Sequence, residues 1–559
     1  MIGVIARDQE KESVEEFFEL FKTPWEYYKD GCSYDVVLTT GDDIEGIDAK
    51  LVIIYGSEIK KMDNEDNPPI PTFLKGGEGG FNRVLLGEDF LPIYGKMATF
   101  ASSDKVLLRI NKTNEAVGIE IENNDVNRRV FRIGYDLFQE IAYLLTHGQP
   151  VENASSPAME IHISILRNRI LSCGIPLIEI PPVPAGYSFI VCLTHDVDFV
   201  NIRDHKFDRT VAGFILRVLA LRYLKDVNSQ FSWYKLYKNW KALLLLPGVY
   251  MGLFKDFWFD IDRYMELEKE TSSTDFFIPF KGQPGNSPAD KLQTSRAASY
   301  DINDYKDLIN ELVKEGHEVG LHGIDAWHNP EMGIKEREVI QRMTGEKDIG
   351  VRMHWLYFSN ESPTALEKAG FAYDSTRGYN NAVGYLSGTA QVFRLPDSSN
   401  ISELPLIVMD TALFYSGRMG LNNYEAFNLC KKLITDMRTY GGAMTINWHT
   451  RSLSPERNWD DFYSELIKIL KTENVWFTKA KEAVTWFHKR RSVRFCDVSI
   501  SEKEVKLKVM PNMKDNLPPL MFRVYRPENE ARKFEAMSGS KCNFTDIPWS
   551  GETEMVYAI

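Results

Sequence analysis

The sequence predicts an α/β chain organised round an irregular parallel β/α barrel, with an N-terminal α/β domain and a small C-terminal all-β domain. Three observations carry this prediction. Short apolar runs separated by helical periodicities recur between about residues 188 and 478. The run Ser188 to Leu193 lacks polar alternation, as a strand covered on both faces requires. Polar residues of catalytic type directly follow several of these runs, which is where barrel strands present an active site.

At 559 residues the chain exceeds one hydrophobic core. Its 43% hydrophobic and 26% charged residues are those of a globular protein. A net charge of −13 argues against nucleic-acid binding, which needs clustered Lys and Arg. The short basic run His488 to Arg491 reads as a solvated helix end. Six scattered cysteines without a C-x-x-C pair fit a reduced compartment. The N-terminus shows no basic segment leading into an apolar one. The longest apolar stretch, Ala242 to Phe254, is broken by Pro247 and Gly248 and is shorter than the ~20 residues that span a bilayer. The expectation is a cytoplasmic protein without a transmembrane segment.

Residues 1–150 form the first predicted domain, of unassigned role. Ile2 to Ala6, Tyr34 to Thr39 and Leu51 to Tyr55 read as strands, and Glu10 to Phe21 as a helix. The tract Gly76 to Gly80 lacks the Lys-Ser/Thr end of a phosphate loop and reads as a loop. Residues 151–490 form the predicted barrel. It opens with a helix over Ala158 to Cys173 and a proline-rich lead-in to Ser188 to Leu193. Further strands are predicted at Thr274 to Pro279, Glu318 to Leu321, Gly350 to Met353, Ala443 to Asn447 and Val475 to Thr478. A helical insertion over about 201–270 is apolar enough to pack on the barrel, and suggests peripheral membrane contact as a sharper reading. Residues 491–559 alternate as strands and predict a sandwich-like domain.

The chemistry sits at the strand ends. In THDVDF, Asp196 and Asp198 are two residues apart, so an extended chain points both the same way. Two adjacent carboxylates repel unless a cation lies between them or one is protonated. EVGLHGIDAWH supplies His322 and His328 after another strand, and imidazole with carboxylate suits zinc and related divalent ions. Trp327, Trp355, Tyr357 and Trp448 lie near these segments, as core residues or as a sugar-stacking wall. His195 and His354 read as supporting or structural residues.

Over roughly residues 185 to 485, apart from the insertion, these motifs and their order resemble the polysaccharide deacetylase family (the NodB-homology, carbohydrate esterase family 4 fold). The quoted segments are THDVD, TDFFIPF, GHEVGLHG, GVRMHW, GFAYDST and INWHT. The resemblance implies a metal-dependent carbohydrate N-deacetylase acting on an N-acetylated sugar or glycan. It implies Asp196 as base, with Asp198, His322 and His328 holding zinc. It further implies Arg352 orienting the base, Asp374 steadying Arg352, and His449 as acid. Two departures stand out. The family's histidines are usually four apart, whereas Ala326 occupies that position and His328 lies six after His322; Asp325 is an alternative ligand. The third motif has His354 in place of its usual proline. Competing expectations are another amide or imide hydrolase of allantoinase type on the same fold, and an inactive glycan-binding module.

Overall fold

The computed structural model describes the chain apart from residues 43, 62, 64–69, 73–81, 87–88, 101–104, 112, 122–127, 207, 220–232, 259, 289–292, 502, 511–514, 528–542, 550 and 559. The tract Gly76 to Gly80 lies outside the described residues. The chain divides into two compact units, one of residues 186–386 and 390–485, the other of 1–185, 387–389 and 486–559.

The first of these holds a ten-stranded, curled sheet. Its strands are β1 (Phe189–Val197), β2 (Ser273–Phe277), β3 (Glu318–Gly323), β4 (Gly350–Met353), β5 (Tyr373–Asp374), β6 (Phe393–Arg394), β7 (Ser402–Glu403), β8 (Leu406–Met409), β9 (Ala443–Asn447) and β10 (Val475–Phe477). Their order is β6-β7-β5-β4-β3-β2-β1-β9-β8, and β10 also pairs with β1. Every pairing is parallel except β6 with β7. The expected barrel is therefore a half-barrel of parallel strands. All nine residues of β1 are buried, which explains its unbroken apolar lead and its continuation through His195 and Asp196.

Leu193, Val408 and Ile446, from β1, β8 and β9, pack against Leu433 and Leu466. These last two lie on the covering helices Asn423–Tyr440 and Asp460–Thr472. This core fixes the β1–β9 register, in which Thr194 opposes Asn447. A one-residue slip would turn the site residues to the wrong face. The insertion is helical over Arg209–Val218, Trp233–Tyr250 and Ile261–Leu267. Among the described residues no helix is long and apolar enough to cross a membrane.

In the other unit, Trp25–Tyr27, Ile2–Ile5, Ser33–Thr39, Asp48–Tyr55 and Arg129–Ile133 form the parallel half of a nine-stranded sheet. The three strands and the helix expected near the N-terminus are present. After Ser492 the described residues of the C-terminal segment form strands and no helix, and they group with residues 1–185 in one compact unit. Met521–Tyr525 pairs with Leu177–Glu179, inside the stretch read as a lead-in to the barrel. A segment of about 65 residues is marginal in the apolar surface that it buries by itself, and this pairing extends its core. The basic run is not solvated either. Arg490 is buried and donates to the carbonyls of Ile180, Glu19 and Leu20, while Arg491 pairs with Glu16. Helix-end carbonyls are acceptors that a buried guanidinium can satisfy, so the charge stays inside.

Candidate active site

Asp196, Asp198, His322, His354 and His449 line one cavity of about 370 Å³. Asp196 lies in β1 and Asp198 just past its end, His322 lies in β3, and His449 lies two residues past the end of β9. His354 follows the end of β4.

Asp196 is fully engaged. Its Oδ1 lies 3.0 Å from Arg352 Nη1, and its Oδ2 accepts from Asn447 Nδ2 at 2.6 Å. Burial pushes its pKa up, but His322, Arg352 and His449 outweigh burial and hold it below the ordinary carboxylate value. Arg352 is wholly buried and fixed by hydrogen bonds to Thr194 Oγ1 at 2.7 Å, Ser375 O at 2.9 Å and Ser375 Oγ at 2.9 Å. Asp374, expected to steady this arginine, interacts with it through charge, while the direct hydrogen-bond partner is its neighbour Ser375. Consecutive residues of an extended chain face opposite sides. Asp374 instead accepts from Thr376 and lies opposite Glu403 of β7. Burial raises the Asp374 pKa to about 6, and burial together with the neighbouring Asp374 lifts Glu403 above the carboxylate range.

The histidine pair also differs from expectation. His328 lies beside Asp325, 3.4 Å away, and outside the group at the strand ends. Asp325 accepts from Asn286 N at 2.7 Å, so this pair anchors a loop. The ligand-type atoms that converge belong to Asp198, His322 and His354, all within 4.8 Å of one another. His322 Nε2 is 3.3 Å and His354 Nε2 3.4 Å from Asp198 Oδ1. His322 donates through Nδ1 to Arg352 O at 2.9 Å, which leaves Nε2 with its lone pair facing the group. Asp198 Oδ1 is buried without a hydrogen-bond partner among the described residues, and against the effect of burial the surrounding imidazoles of His354, His322 and His449 hold this carboxyl well below its usual range. Burial pushes His354 down to about 3, so it is neutral. A buried carboxylate oxygen aimed at two imidazoles fits a divalent cation. Directly after His354, Trp355 (φ 65°) and Leu356 (φ 54°) are left-handed. Such strain costs about 1–3 kcal/mol each and clusters at functional sites.

His449 hydrogen-bonds through Nδ1 to Asp410 Oδ1 at 2.7 Å, and its backbone N–H donates to Asp410 Oδ2 at 2.7 Å. Burial lowers the imidazole pKa, but Asp410 and then Asp198 and Asp196 raise it to about 10. Its Nε2 points at Asp198 Oδ2, 3.8 Å away.

His195 is outside the cavity, between Trp448 O (2.7 Å) and Glu268 Oε1 (2.9 Å). Of the four aromatics, Trp355 lines the cavity, whereas Trp448 is stacked in the core between Phe462 and Tyr463. The sequence gives no site role to Asn447, Ser375 and Asp410, and reads His354 only as a supporting or structural residue. Asp410 directly follows the apolar run Leu406–Met409, the same strand-end signature that marked the others.

No family model matches the chain. A peptidoglycan deacetylase of Helicobacter pylori is 30% identical over 94 residues, covering 15% of this chain and 32% of that protein. The chain thus matches about a third of that relative's length. Solved structures with similarity include PuuE allantoinase, at 15% identity and TM-score 0.35 over 55% of this chain and 93% of that one. A family 4 acetyl xylan esterase from Clostridium thermocellum, in complex with a cobalt ion, matches at 14% identity and TM-score 0.24 over 53% of this chain and 91% of that one. The resemblance that the motifs carry stands beside these matches: the chain is similar to the polysaccharide deacetylases.

Proposed function

We propose that this chain is a metal-dependent carbohydrate N-deacetylase, which hydrolyses the acetamido group of an N-acetylated sugar or glycan to a free amine and acetate. The observation that supports it most is the shared cavity of Asp196, His449 and the Asp198–His322–His354 group. The donor set suits zinc. Asp198, His322 and His354 would hold the ion, which when bound would supply Lewis-acid polarisation of the acetamide and a more acidic water.

The remaining steps belong to the chain's own groups. Asp196 takes a proton from water as the water oxygen bonds to the carbonyl carbon. Arg352 and Asn447 keep that carboxylate ionised and aimed. His449 carries its proton on Nε2, with Asp410 behind Nδ1, and passes it to nitrogen as the C–N bond breaks. A base, its orienter and a paired acid in one cavity are of no use to a module that only binds.

The test is metal content and acetate release measured together. His354→Ala is expected to lose the metal, and His328→Ala to keep it. Asp196→Asn should keep metal and lose turnover. Metal loss in His328→Ala alone would refute the ligand set. Cyclic imides in the same substrate panel separate the allantoinase-type reading, which is supported if they turn over and N-acetylated sugars do not.

A further inference from the structure

The cavity walls carry a charge that deacetylation does not need. Five arginines line it: Arg217, Arg296, Arg418, Arg451 and Arg457, in a chain of net charge −13. Two take polar partners within the fold, although the Nη2 of Arg451 is buried without a hydrogen-bond partner among the described residues. Arg296 donates to the carbonyls of Ile324, His354, Pro284 and Asn286. Arg451 pairs with Glu456 at 2.8 Å.

Arg418 and Arg457 are different. Among the described residues neither has a carboxylate within ion-pair distance. Arg418 donates to Thr411 Oγ1 at 2.6 Å and sits over the Tyr415 ring. Arg457 lies over the rings of Tyr415 and Trp459, 4.6 and 4.9 Å from their centroids. Its Nε and Nη1 are shielded from solvent and have no hydrogen-bond partner among the described residues. Tyr415 thus lies beneath both guanidinium groups, holding two like charges on one wall. Nearby like charges with buried, unused donors cost stability unless an anion completes them.

We infer that Arg418 and Arg457 form an anion subsite beside the reacting centre, and that the substrate is a phosphorylated N-acetyl sugar. The inference rests on the deacetylase reading for the sugar and on the arginines for the phosphate. Two cations match a phosphoryl group of charge near −2, whereas one carboxylate would neutralise only one of them. A phosphate monoester and a diphosphate present the same chemistry to this wall.

Isothermal titration of the full-length protein with N-acetylglucosamine, N-acetylglucosamine 1-phosphate and a nucleoside-diphosphate N-acetylglucosamine tests it. The 1-phosphate is expected to bind at least about tenfold tighter than the neutral sugar. In the double variant Arg418→Gln/Arg457→Gln that ratio should collapse towards one, and Arg418→Lys/Arg457→Lys should keep part of it. Because the ratio is taken on one preparation, partial misfolding does not mimic its loss. Tighter binding of the nucleoside compound than of the 1-phosphate identifies a diphosphate; weaker binding identifies a monoester. Equal affinity for neutral and phosphorylated sugars, or a preference that survives the glutamines, overturns the subsite. Acetate release is read in parallel. Phosphate preference without acetate sinks the deacetylase reading and leaves the anion site standing, and acetate without phosphate preference does the reverse.

Discussion

Asp410→Asn isolates the acid from the rest of the site. Four donors converge on the two oxygens of this wholly buried carboxylate: the His449 ring and backbone N–H, Thr411 N and Ser452 Oγ. An amide offers one oxygen and turns an NH2 towards two of those donors. One buried donor left unmatched costs about 1–3 kcal/mol of stability. The loss to catalysis is larger. Without the anion behind Nδ1, the imidazolium has lost the strongest influence that favours it, and neutral His449 is a poor acid. A fall in kcat of roughly 10²–10⁴ is expected for amide substrates. An ester with a good leaving group, such as p-nitrophenyl acetate, needs no protonation as its bond breaks, so its rate should fall by less than about tenfold. The assay compares both substrates on wild type and variant at equal metal content. Equal losses on amide and ester would refute the acid assignment.

Three further outcomes follow from other parts of the molecule. Arg352→Met strands Asp196 without its cation inside the sheet; about 3–5 kcal/mol of stability is at stake, and an unchanged melting temperature would contradict the pairing. His162 is buried with neither ring nitrogen hydrogen-bonded among the described residues, and burial lowers it from 6.5 to about 3. The unfolded chain therefore takes up a proton below pH 6.5 that the folded chain refuses. Stability falls on acidification, by about 2 kcal/mol at pH 5 from this group, and a His162→Leu variant should lose that share of the pH dependence in denaturant titrations. Trp233, Tyr237, Trp240 and Leu244 are exposed on one face of the helix Trp233–Tyr250. Sedimentation with phosphatidylcholine–phosphatidylglycerol vesicles is expected to fall in Trp233→Ser/Trp240→Ser, and wild type that stays in the supernatant would dismiss the membrane reading.

The candidate site was legible because apolar strands ending in polar residues write their chemistry into contiguous sequence. Asp196, Asp198, His322, Arg352 and His449 all lie at such ends, and all come together. What failed was inference from one-dimensional spacing. His328 is near His322 in sequence but beyond a turn that directs it to Asp325. His354 is distant in sequence but follows the strand paired with His322's own, the register setting His322 against Arg352. Ser375 and Asp374 could not be told apart without knowing which way the short strand β5 faces. The pairing of the C-terminal segment with the earlier chain was illegible for a related reason, since a three-residue strand such as Leu177–Glu179 carries too little periodicity to announce a partner about 345 residues on.

The convergence of Asp198, His322 and His354 from β1, β3 and β4 has a mechanical consequence. Two ligands one helical turn apart report only on that helix, and would survive any shear of the sheet beneath it. Here a cation would clip together strands that are not all neighbours, since β2 runs between β1 and β3. Grip on the ion and alignment of the sheet become one property: a mutation that loosens β2 far from the cavity should weaken metal retention, and metal should in turn protect the amides of β2, which contributes no ligand at all.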